Sequence, residues 1–164
     1  MTAHVHTLNQ PQRFALITVS DTRTLENDES GRVMQEMTQI AGHNVVFREI
    51  ISDEPATIKY LLQDLVGKAD VACLSGGTGI SRRDRTFEAV SELLEKTLSG
   101  FGELFRALSY DEIGAAAMLS RAIAGLYRDM IVFVMPGSPS AVRLAMDRLI
   151  LPQTAHLAGE LRKH

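Results

Sequence analysis

Short apolar runs alternate along the chain with longer segments in which apolar residues recur at helical spacing. The runs are rich in Val and Ile and too short for independent helices, so they predict buried strands. The intervening segments predict helices that each bury one face. The predicted strands are 14–19, 45–51, 71–74 and 131–135. The predicted helices are 30–41, 55–66, 86–96, 103–108, 115–122, 138–150 and a further helix from residue 152 to the end.

The first predicted helix has one clear apolar face. Val33, Met34, Met37 and Ile40 lie on the same side of it, so we expect all four to pack against the sheet. Gly42 follows the last turn, which is typical of a helix end.

The alternation of strands and helices predicts an α/β fold, in which a three-layer, doubly wound and mostly parallel sheet carries helices on both faces. We expect a single domain over residues 13–164, preceded by a flexible polar lead over 1–12. In such sheets the loops beyond the carboxyl ends of the strands meet at one edge, where ligands bind. We therefore expect a functional site at that edge. The loops concerned are 20–31, 52–55, 75–85 and 136–140.

The composition argues against several classes of function. The 164 residues carry a formal net charge of −3 and only 5% are aromatic, which argues against a large nucleic-acid-binding surface. No apolar run approaches the roughly 20 residues of a membrane span, and residues 1–12 lack an apolar signal core. Cys73, the single cysteine, lies in an apolar run and is expected to be a buried, reduced thiol. We expect a cytoplasmic protein with no nucleic acid and no membrane as partner.

The glycine-rich segment after the third predicted strand carries the strongest functional signal. It has the sequence Ser-Gly-Gly-Thr-Gly-Ile-Ser-Arg-Arg-Asp-Arg over residues 75–85. Its glycines let backbone N–H groups approach a phosphate, Arg82 and Arg83 can neutralise the phosphate charge, and Asp84 can hold a metal ion. The segment lacks the Gly-Lys-Ser/Thr of a P-loop, and Arg82 occupies the third glycine position of a dinucleotide-binding fingerprint. It therefore predicts phosphate handling with a metal ion.

Several polar residues at this edge have purely structural alternatives. Asp84 is near a helix N-terminus, where a carboxylate complements the helix dipole, and Asp53 could cap the helix that follows it. Asp28 could cap the first helix, or Ser30 and Gly31 could donate hydrogen bonds to an anion. These alternatives stay open at the level of sequence.

Two further segments are equally ambiguous. Pro136-Gly137-Ser138-Pro139 is a helix start, with Ser138 as N-cap, and it also follows a strand end where ligand contact is expected. Arg121 falls in a predicted helix, where an arginine is usually a solvated or interface charge. The histidines show no zinc-ligand spacing, and the Gly-x-Ser-x-Gly of a serine hydrolase is absent from the sequence.

Motifs between residues 13 and 155 resemble the molybdenum cofactor biosynthesis protein B (MoaB) family, within the wider group that shares the MogA/gephyrin-type molybdopterin-binding domain. Residues 100–106 (Gly-Phe-Gly-Glu-Leu-Phe-Arg) and 109–114 (Ser-Tyr-Asp-Glu-Ile-Gly) are more similar to the B branch than to the A branch. The resemblance implies a doubly wound α/β domain that assembles as a trimer or hexamer. The other matching stretches are 18–21, 28–31, 75–79 with Arg83-Asp84, 120–121 and 135–139.

The resemblance also implies a ligand and a reaction. In active relatives the terminal phosphate of molybdopterin attacks the α-phosphate of ATP with Mg²⁺, giving adenylylated molybdopterin and pyrophosphate. Asp53 and Asp84 match the family's two catalytic, metal-associated acids. The implied substrate- and phosphate-binding residues are Ser20, Asp21, Ser30, Gly31, Ser75, Gly76, Gly77, Thr78, Gly79, Arg83, Ser120, Arg121, Pro136, Gly137 and Ser138.

The implied activity is that of a molybdopterin adenylyltransferase. The alternative is a non-catalytic molybdopterin-binding or carrier protein of the same pathway, since some members of the B branch keep the fold without the activity. A different nucleotide-binding enzyme on the same domain type is disfavoured by the short chain and by the Gly-Phe-Gly-Glu stretch.

One position departs from the family pattern. The family commonly has Thr-Pro-Glu-Ala after the second acid, and this chain has Thr86-Phe87-Glu88-Ala89. Thr86 still fits as a helix cap; without the proline, the loop is less rigid or Phe87 packs on a neighbour. The apolar segment 101–126 is equally compatible with a subunit interface and with an internal core.

Overall fold

A six-stranded sheet forms the centre of the computed structural model, which describes residues 10–163. The strands are β1 (Arg13–Val19), β2 (Asn44–Ile51), β3 (Val71–Ser75), β4 (Lys96–Thr97), β5 (Ile123–Tyr127) and β6 (Met130–Met135). Their order across the sheet is β2-β1-β3-β6-β5-β4. Strands β2, β1, β3 and β6 run parallel, β5 is antiparallel to β6, and β4 is antiparallel to β5. The mostly parallel sheet predicted from the sequence is thus confirmed, with an antiparallel extension.

Helices cover both faces of this sheet. The helices are α1 (Glu29–Ile40), α2 (Pro55–Leu65), α3 (Thr86–Ser91), α4 (Ser99–Ile113), α5 (Pro139–Ala145) and α6 (Leu151–Leu161), with a 3₁₀ segment at Gly114–Leu119 and a π-helical turn at Met146–Ile150. One face of the sheet packs on α2 and α3, and the other packs on α1, α4, α5 and the helical stretch after α5. These are the three layers of a doubly wound α/β fold, as predicted.

The central strands are apolar throughout because they are buried on both faces. Along β1, Phe14 and Leu16 belong to the core beneath α1, α4 and α5, whereas Ala15 and Ile17 belong to the core beneath α2 and α3. Cys73 in β3 is also fully buried, and this burial raises the pKa of its thiol. Strands covered on both sides produce continuous apolar runs in the sequence, which is why the parallel strands could be predicted.

The antiparallel part of the sheet is where prediction from the sequence is wrong. Residues 86–96 predict one helix, but α3 covers only the first half of this range and the chain continues into β4. The predicted helix 115–122 is a 3₁₀ segment that leads into β5, and β5 turns into β6 through Arg128, whose φ is 54°. At Gly125 the chains approach closely, since a Cβ there would lie 2.2 Å from the Lys96 carbonyl oxygen. Strand β5 forms because it pairs with the edge of β6, and the strand propensity of its own residues does not predict this pairing.

Helix α1 buries the predicted face except at its last residue. Val33 and Met34 are buried as expected, but Ile40 is 87% exposed. Thr38 occupies the buried face instead, and its hydroxyl donates to the Met34 carbonyl oxygen (2.7 Å). Residues two positions apart on a helix are rotated by about 200° about its axis, so with Thr38 buried, Ile40 is turned away from the sheet. The expectation that Ile40 packs on the sheet is wrong.

The last predicted helices join into one. Helix α5, the π-helical turn and α6 are continuous, whereas the sequence predicts a break before Pro152. At the end of the π-helical turn, the N–H of Leu151 donates to the carbonyl oxygen of Met146. The proline follows directly, and its missing N–H removes one α-helical hydrogen bond. Helix α4 is likewise longer than the predicted 103–108.

Gln12, which precedes β1, is hydrogen-bonded to the rest of the protein. The predicted flexible lead covers 1–12, of which 1–9 lie outside the described residues. Gln12 is buried; its N–H donates to His43 Nδ1 (3.1 Å), and its carbonyl oxygen accepts from the N–H of Asn44 (3.0 Å). None of the helices within the described part of the chain has the length and apolar character needed to cross a membrane.

Candidate functional site

Three loops meet at the carboxyl edge of the parallel strands, and glycines permit the contact. Gly76, after β3, has a φ of +105°, and a Cβ there would lie 2.3 Å from the Val19 carbonyl oxygen at the end of β1. The Gly76 N–H donates to the Met135 carbonyl oxygen at the end of β6 (3.0 Å). A Cβ on Gly137 would approach the Cα of Gly76 to 3.2 Å. The ends of β1, β3 and β6 therefore pack backbone against backbone.

The loop of residues 75–85, called the glycine loop below, is held through its oxygen atoms. The N–H of Thr86 donates to the Gly77 carbonyl oxygen (3.0 Å). Within the described part of the chain, no hydrogen bond uses the backbone N–H groups of residues 77–79. Three consecutive amides thus lack an acceptor in the described chain, and amides of this kind can bind an anion.

Buried hydroxyl groups without partners surround this loop. Of the four buried side-chain N or O atoms that lack a partner among the described residues, three are Ser75 Oγ, Thr86 Oγ1 and Ser120 Oγ. A Cβ on Gly77 would lie only 2.1 Å from Thr86 Oγ1. The prediction that Thr86 caps a helix is wrong, because Arg85 holds the cap position of α3. Unpaired buried hydroxyls are costly, so three at one edge indicate a place for ligand or water.

Arg121 donates hydrogen bonds to three carbonyl groups of the glycine loop. Nε donates to the carbonyl oxygen of Thr78 (3.0 Å), and Nη2 donates to those of Gly79 (2.5 Å) and Asp84 (3.2 Å). The prediction that Arg121 lies in a helix is wrong, since it follows the 3₁₀ segment on the way into β5. One guanidinium therefore ties together carbonyls from both ends of the loop.

Phe87 and Glu88, both on α3, hold this guanidinium in turn. Glu88 pairs with Arg121 Nη1, and the ring centre of Phe87 lies 5.2 Å from the guanidinium carbon, a cation–π distance. Of the two expectations for Phe87, packing on a neighbour is the one observed. Partial burial opposes ionisation of Glu88, but the hydrogen bond and charge of Arg121 outweigh it and lower the pKa of the carboxyl. The sequence analysis missed Glu88, because an acid in the first turn of a helix is ordinary.

Asp53 and Asp84 lie on two loops that an ion pair links. Asp53 stands between β2 and α2, Asp84 stands in the glycine loop, and both are half-buried. The residues that follow them, Glu54 and Arg85, approach each other to 3.8 Å as an ion pair. The N–H of Ser81 donates to Asp84 Oδ2 (3.1 Å) and orients that carboxylate. Asp53 does not cap α2, whose cap position is Glu54.

The loop after β1 joins the same edge. Ser20 Oγ accepts from the N–H groups of Thr22 (3.2 Å) and Arg23 (3.1 Å). Arg23 Nη1 donates to the Gly137 carbonyl oxygen (3.2 Å) and so links this loop to the one after β6. The sequence analysis missed this cation, which no motif marks. Residues Ser20, Asp21, Arg23 and Ser52, with Glu49 and Ile51 of β2, line a hollow of about 470 Å³.

Asp28 belongs to the start of α1. It is buried, its Oδ1 accepts from the N–H of Gly31 (3.0 Å), and Thr18 Oγ1 donates to its Oδ2 (2.9 Å). Ser30 Oγ donates to the Gly137 carbonyl oxygen (2.6 Å). Of the two interpretations of this segment, helix capping is the one observed. The Ser30 hydroxyl and the Gly31 N–H both have partners within the protein.

Comparison with known proteins identifies the family. A family model described as "Probable molybdopterin binding domain" matches residues 15–156. The chain is 47% identical to molybdenum cofactor biosynthesis protein B of Bacillus cereus, over 99% of this chain and 98% of that protein. It is 48% identical to the protein of the same name from Bacillus subtilis, over 92% and 91% of the two chains. The chain belongs to the molybdenum cofactor biosynthesis protein B (MoaB) family.

Solved structures share the fold. The crystal structure of a molybdenum cofactor biosynthesis protein B matches with a TM-score of 0.91 at 49% identity, covering 94% of this chain and 98% of that one. The tungsten cofactor synthesizing protein MoaB from Pyrococcus furiosus matches with a TM-score of 0.86 at 35% identity, covering 95% and 100%. A MogA chain at 24% identity has a TM-score of 0.83 over 92% of this chain and 99% of that one, which supports the fold alone. The resemblance inferred from the motifs is confirmed.

In this MoaB-family chain, the remaining predicted site residues lie around the rim of the carboxyl edge. Asp21 and Arg83 are exposed, and Pro136 is half-buried. Ser138 is exposed, and its hydroxyl caps α5 by accepting from the N–H of Ala141 (3.2 Å). The loops that carry these residues converge as the parallel topology requires.

Proposed function

We propose that the protein binds molybdopterin at the carboxyl edge of the sheet and transfers an adenylyl group from ATP to its terminal phosphate. Membership of the MoaB family supports the molybdopterin ligand. The observation that carries the proposal is the glycine loop, whose N–H groups at 77–79 donate to no acceptor in the described chain and lie next to buried, unpaired hydroxyls. Amides and hydroxyls of this kind bind phosphate oxygens.

In the proposed reaction, an oxygen of the molybdopterin phosphate attacks the α-phosphorus of ATP. A bond forms between these two atoms, the bond from the α-phosphorus to the bridging oxygen breaks, and pyrophosphate leaves. Such a transfer needs alignment and charge neutralisation more than covalent help from the protein. The amides of 77–79 hold phosphate oxygens, the buried Ser75 and Thr86 hydroxyls lie beside them as further donors, and Arg23 and Arg83 add positive charge at the rim.

We assign a magnesium ion to Asp53 and Asp84, because Mg²⁺ prefers carboxylate oxygens and the ion pair between Glu54 and Arg85 brings the loops of the two acids together. In residues 10–163, no group of three or more His, Cys, Asp and Glu side chains is arranged to hold a metal. A pair of acids leaves the other coordination positions to phosphate oxygens and water, which suits this ion. When bound, the ion supplies neutralisation of phosphate charge.

The test is incubation with molybdopterin, ATP and Mg²⁺, followed by measurement of pyrophosphate and of the adenylylated pterin. Asp84→Asn is expected to lower kcat by at least about 10²-fold, because it removes a charge that is placed for the reaction. Asp129→Asn is the matched control, since this acid lies on the turn between β5 and β6, at the opposite edge of the sheet. Full turnover in Asp84→Asn would remove that carboxylate from the reaction. Binding of molybdopterin without ATP consumption would contradict the enzymatic proposal and support a carrier.

We also propose that the chain assembles as a trimer or hexamer through α4 and the 3₁₀ segment after it. Leu104, Ile113, Met118 and Leu119 lie in these two elements, and each is more than half exposed. Grouped exposed apolar side chains mark interaction surfaces. The mass in solution tests the proposal: Met118→Glu is expected to shift the protein towards monomer. A wild-type monomer at micromolar concentration would contradict it.

A further inference from the structure

We infer that Arg121 aims the amides of the glycine loop and does not itself bind the phosphate of a ligand. Arg121 is then a positioning residue, and its effect on turnover rests on the function proposed above. Its contacts are the carbonyl groups of Thr78, Gly79 and Asp84, which all belong to one loop. None of these three residues lies in a helix or a strand, so regular structure does not orient their peptide groups.

Because the peptide bond is planar, fixing the direction of a carbonyl group also fixes the direction of the N–H that follows it. In a trans peptide, the carbonyl of one residue and the N–H of the next point in opposite directions. The described chain has no cis peptide bonds. Where Arg121 holds the carbonyls of Thr78 and Gly79, the N–H groups of Gly79 and Ile80 must therefore point away from it. By the same relation, the bond from Thr86 N–H to the Gly77 carbonyl directs the N–H of Thr78.

The contacts of Arg121 leave little of it for a phosphate. Carbonyl oxygens engage Nε and Nη2, and Glu88 engages Nη1, so most of its N–H donors have partners. Phe87 covers one face of the guanidinium. A phosphate at Arg121 would compete with the Glu88 carboxylate. Partial burial would raise the pKa of Glu88, but its pairing with Arg121 lowers that pKa overall. The residue therefore acts on the ligand through the loop.

The first test needs no ligand. Hydrogen exchange at the amides of Asp84 and Thr86, which donate to carbonyls within the loop, reports how well the loop is ordered. In Arg121→Lys we expect exchange at these amides to rise by at least about tenfold, because an ammonium is a point charge that cannot span three carbonyls. Exchange in β1 and β3 is expected to stay unchanged.

Arg13→Lys is the matched control for hydrogen exchange. Like Arg121, Arg13 binds a carboxylate and a carbonyl group: its Nη2 donates to Asp70 Oδ1 (2.9 Å), and its Nη1 donates to the carbonyl oxygen of Gly67 (3.0 Å). Both partners precede β3, at the edge away from the glycine loop. Exchange at the loop amides is therefore expected to stay at the wild-type rate in this variant.

The second test separates positioning from direct binding. If Arg121 bound phosphate, Glu88→Gln would remove a competing negative charge, and Mg-ATP would bind more tightly. If Arg121 positions the loop, the same substitution loosens its hold, and the affinity for Mg-ATP is unchanged or weaker. Isothermal titration of the wild type and of Glu88→Gln with Mg-ATP measures the difference.

The third test is kinetic. Arg121→Lys is expected to lower kcat by about 10²-fold, the size of effect that misplacement of a reacting group produces, with a smaller change in KM for ATP. Arg121→Ala should regain part of its kcat when guanidinium ion is added. A hollow of about 430 Å³, lined by Phe87, Met118 and Ser120 among others, reaches this residue and gives the ion access.

The inference is overturned if loop exchange in Arg121→Lys equals that of the wild type, or if Glu88→Gln binds Mg-ATP more tightly. Absence of turnover in the wild type would instead contradict the proposed function. The hydrogen-exchange result would still decide the positioning role, because it is measured without substrate.

Discussion

The two edges of the parallel sheet treat their polar groups in opposite ways. At the amino edge, where β1 and β3 begin, Arg13 and Asp70 satisfy each other. The Arg13 N–H donates to Asp70 Oδ2 (2.8 Å), its guanidinium pairs with Oδ1 (2.9 Å), and the Asp70 N–H donates back to the Arg13 carbonyl oxygen (2.8 Å). The Asp70 carbonyl oxygen accepts from Ile131 at the start of β6 (3.0 Å). The polar groups of Arg13 and Asp70 at this edge therefore have partners within the protein.

At the carboxyl edge, donors remain without acceptors. The amides of 77–79 and the hydroxyls of Ser75, Thr86 and Ser120 have no partner within the described chain, while the carbonyls of the glycine loop are held by Arg121 and by the N–H of Thr86. Polar residues occur at both edges, so polarity alone does not mark a site. A cluster of unpaired buried donors does, because a protein tolerates them together where a ligand or water satisfies them.

The largest expected effect comes from filling the backbone contact at the carboxyl edge. Gly76→Ala combines a φ of +105° with a Cβ placed 2.3 Å from the Val19 carbonyl oxygen. It is expected to lower the free energy of unfolding by about 3 kcal/mol and to abolish Mg-ATP binding. Chemical denaturation and calorimetry measure the two effects. Gly100→Ala is the control, since a Cβ there meets nothing within 4 Å; equal losses in both variants would contradict a special contact at Gly76.

A smaller effect is expected at the amino edge. Asp70→Asn removes a partly exposed ion pair, so the free energy of unfolding at neutral pH should fall by about 1 kcal/mol. Turnover and Mg-ATP affinity should stay at wild-type values, because Asp70 is at the edge away from the glycine loop. A loss of affinity as large as that of Gly76→Ala would remove the functional difference between the edges.

The same ion pair predicts a dependence on pH. Partial burial alone would raise the pKa of Asp70, but the hydrogen bonds and charge of Arg13 outweigh it, so the pKa lies below its usual value. The stabilisation is therefore present above the usual carboxyl pKa of about 4 and is lost as the pH falls through the lower pKa of the folded state. The unfolding free energies of the wild type and of Asp70→Asn should approach each other progressively as the pH falls below about 4. A constant difference down to strong acid would contradict this assignment.

The smallest effect on stability is expected for Ser75→Ala. The Ser75 hydroxyl is buried without a partner, so its removal breaks no bond and should change the free energy of unfolding by less than about 0.5 kcal/mol. Ligand binding should still weaken about threefold to tenfold, the value of one hydrogen bond. Thr154→Val is the contrasting variant, because the Thr154 hydroxyl donates to the Ile150 carbonyl oxygen (2.7 Å); it should lose stability and keep ligand affinity. The reverse pattern would contradict the comparison.

Prediction from the sequence succeeded where the signal is local or where burial is complete. The parallel strands are continuous apolar runs because helices cover both faces. The caps at Asp28 and Ser138 were predictable because capping links residues only three positions apart. Prediction failed at β5, which pairs with the edge of β6, and at β4, which pairs with β5. It also failed at Ile40, because a rotation of less than one helical turn decides whether a side chain is buried or exposed.

For the candidate site, the sequence determined which loop is rich in glycine and which acids follow strands, since composition and strand order are written in the chain. Only the tertiary structure decided which donors remain unpaired. Arg121 lies 43 residues from Thr78 and contacts it only because β5 pairs beside β6 and brings the two loops together. Side-chain partners across such separations follow from packing, and no local pattern of residue types records them.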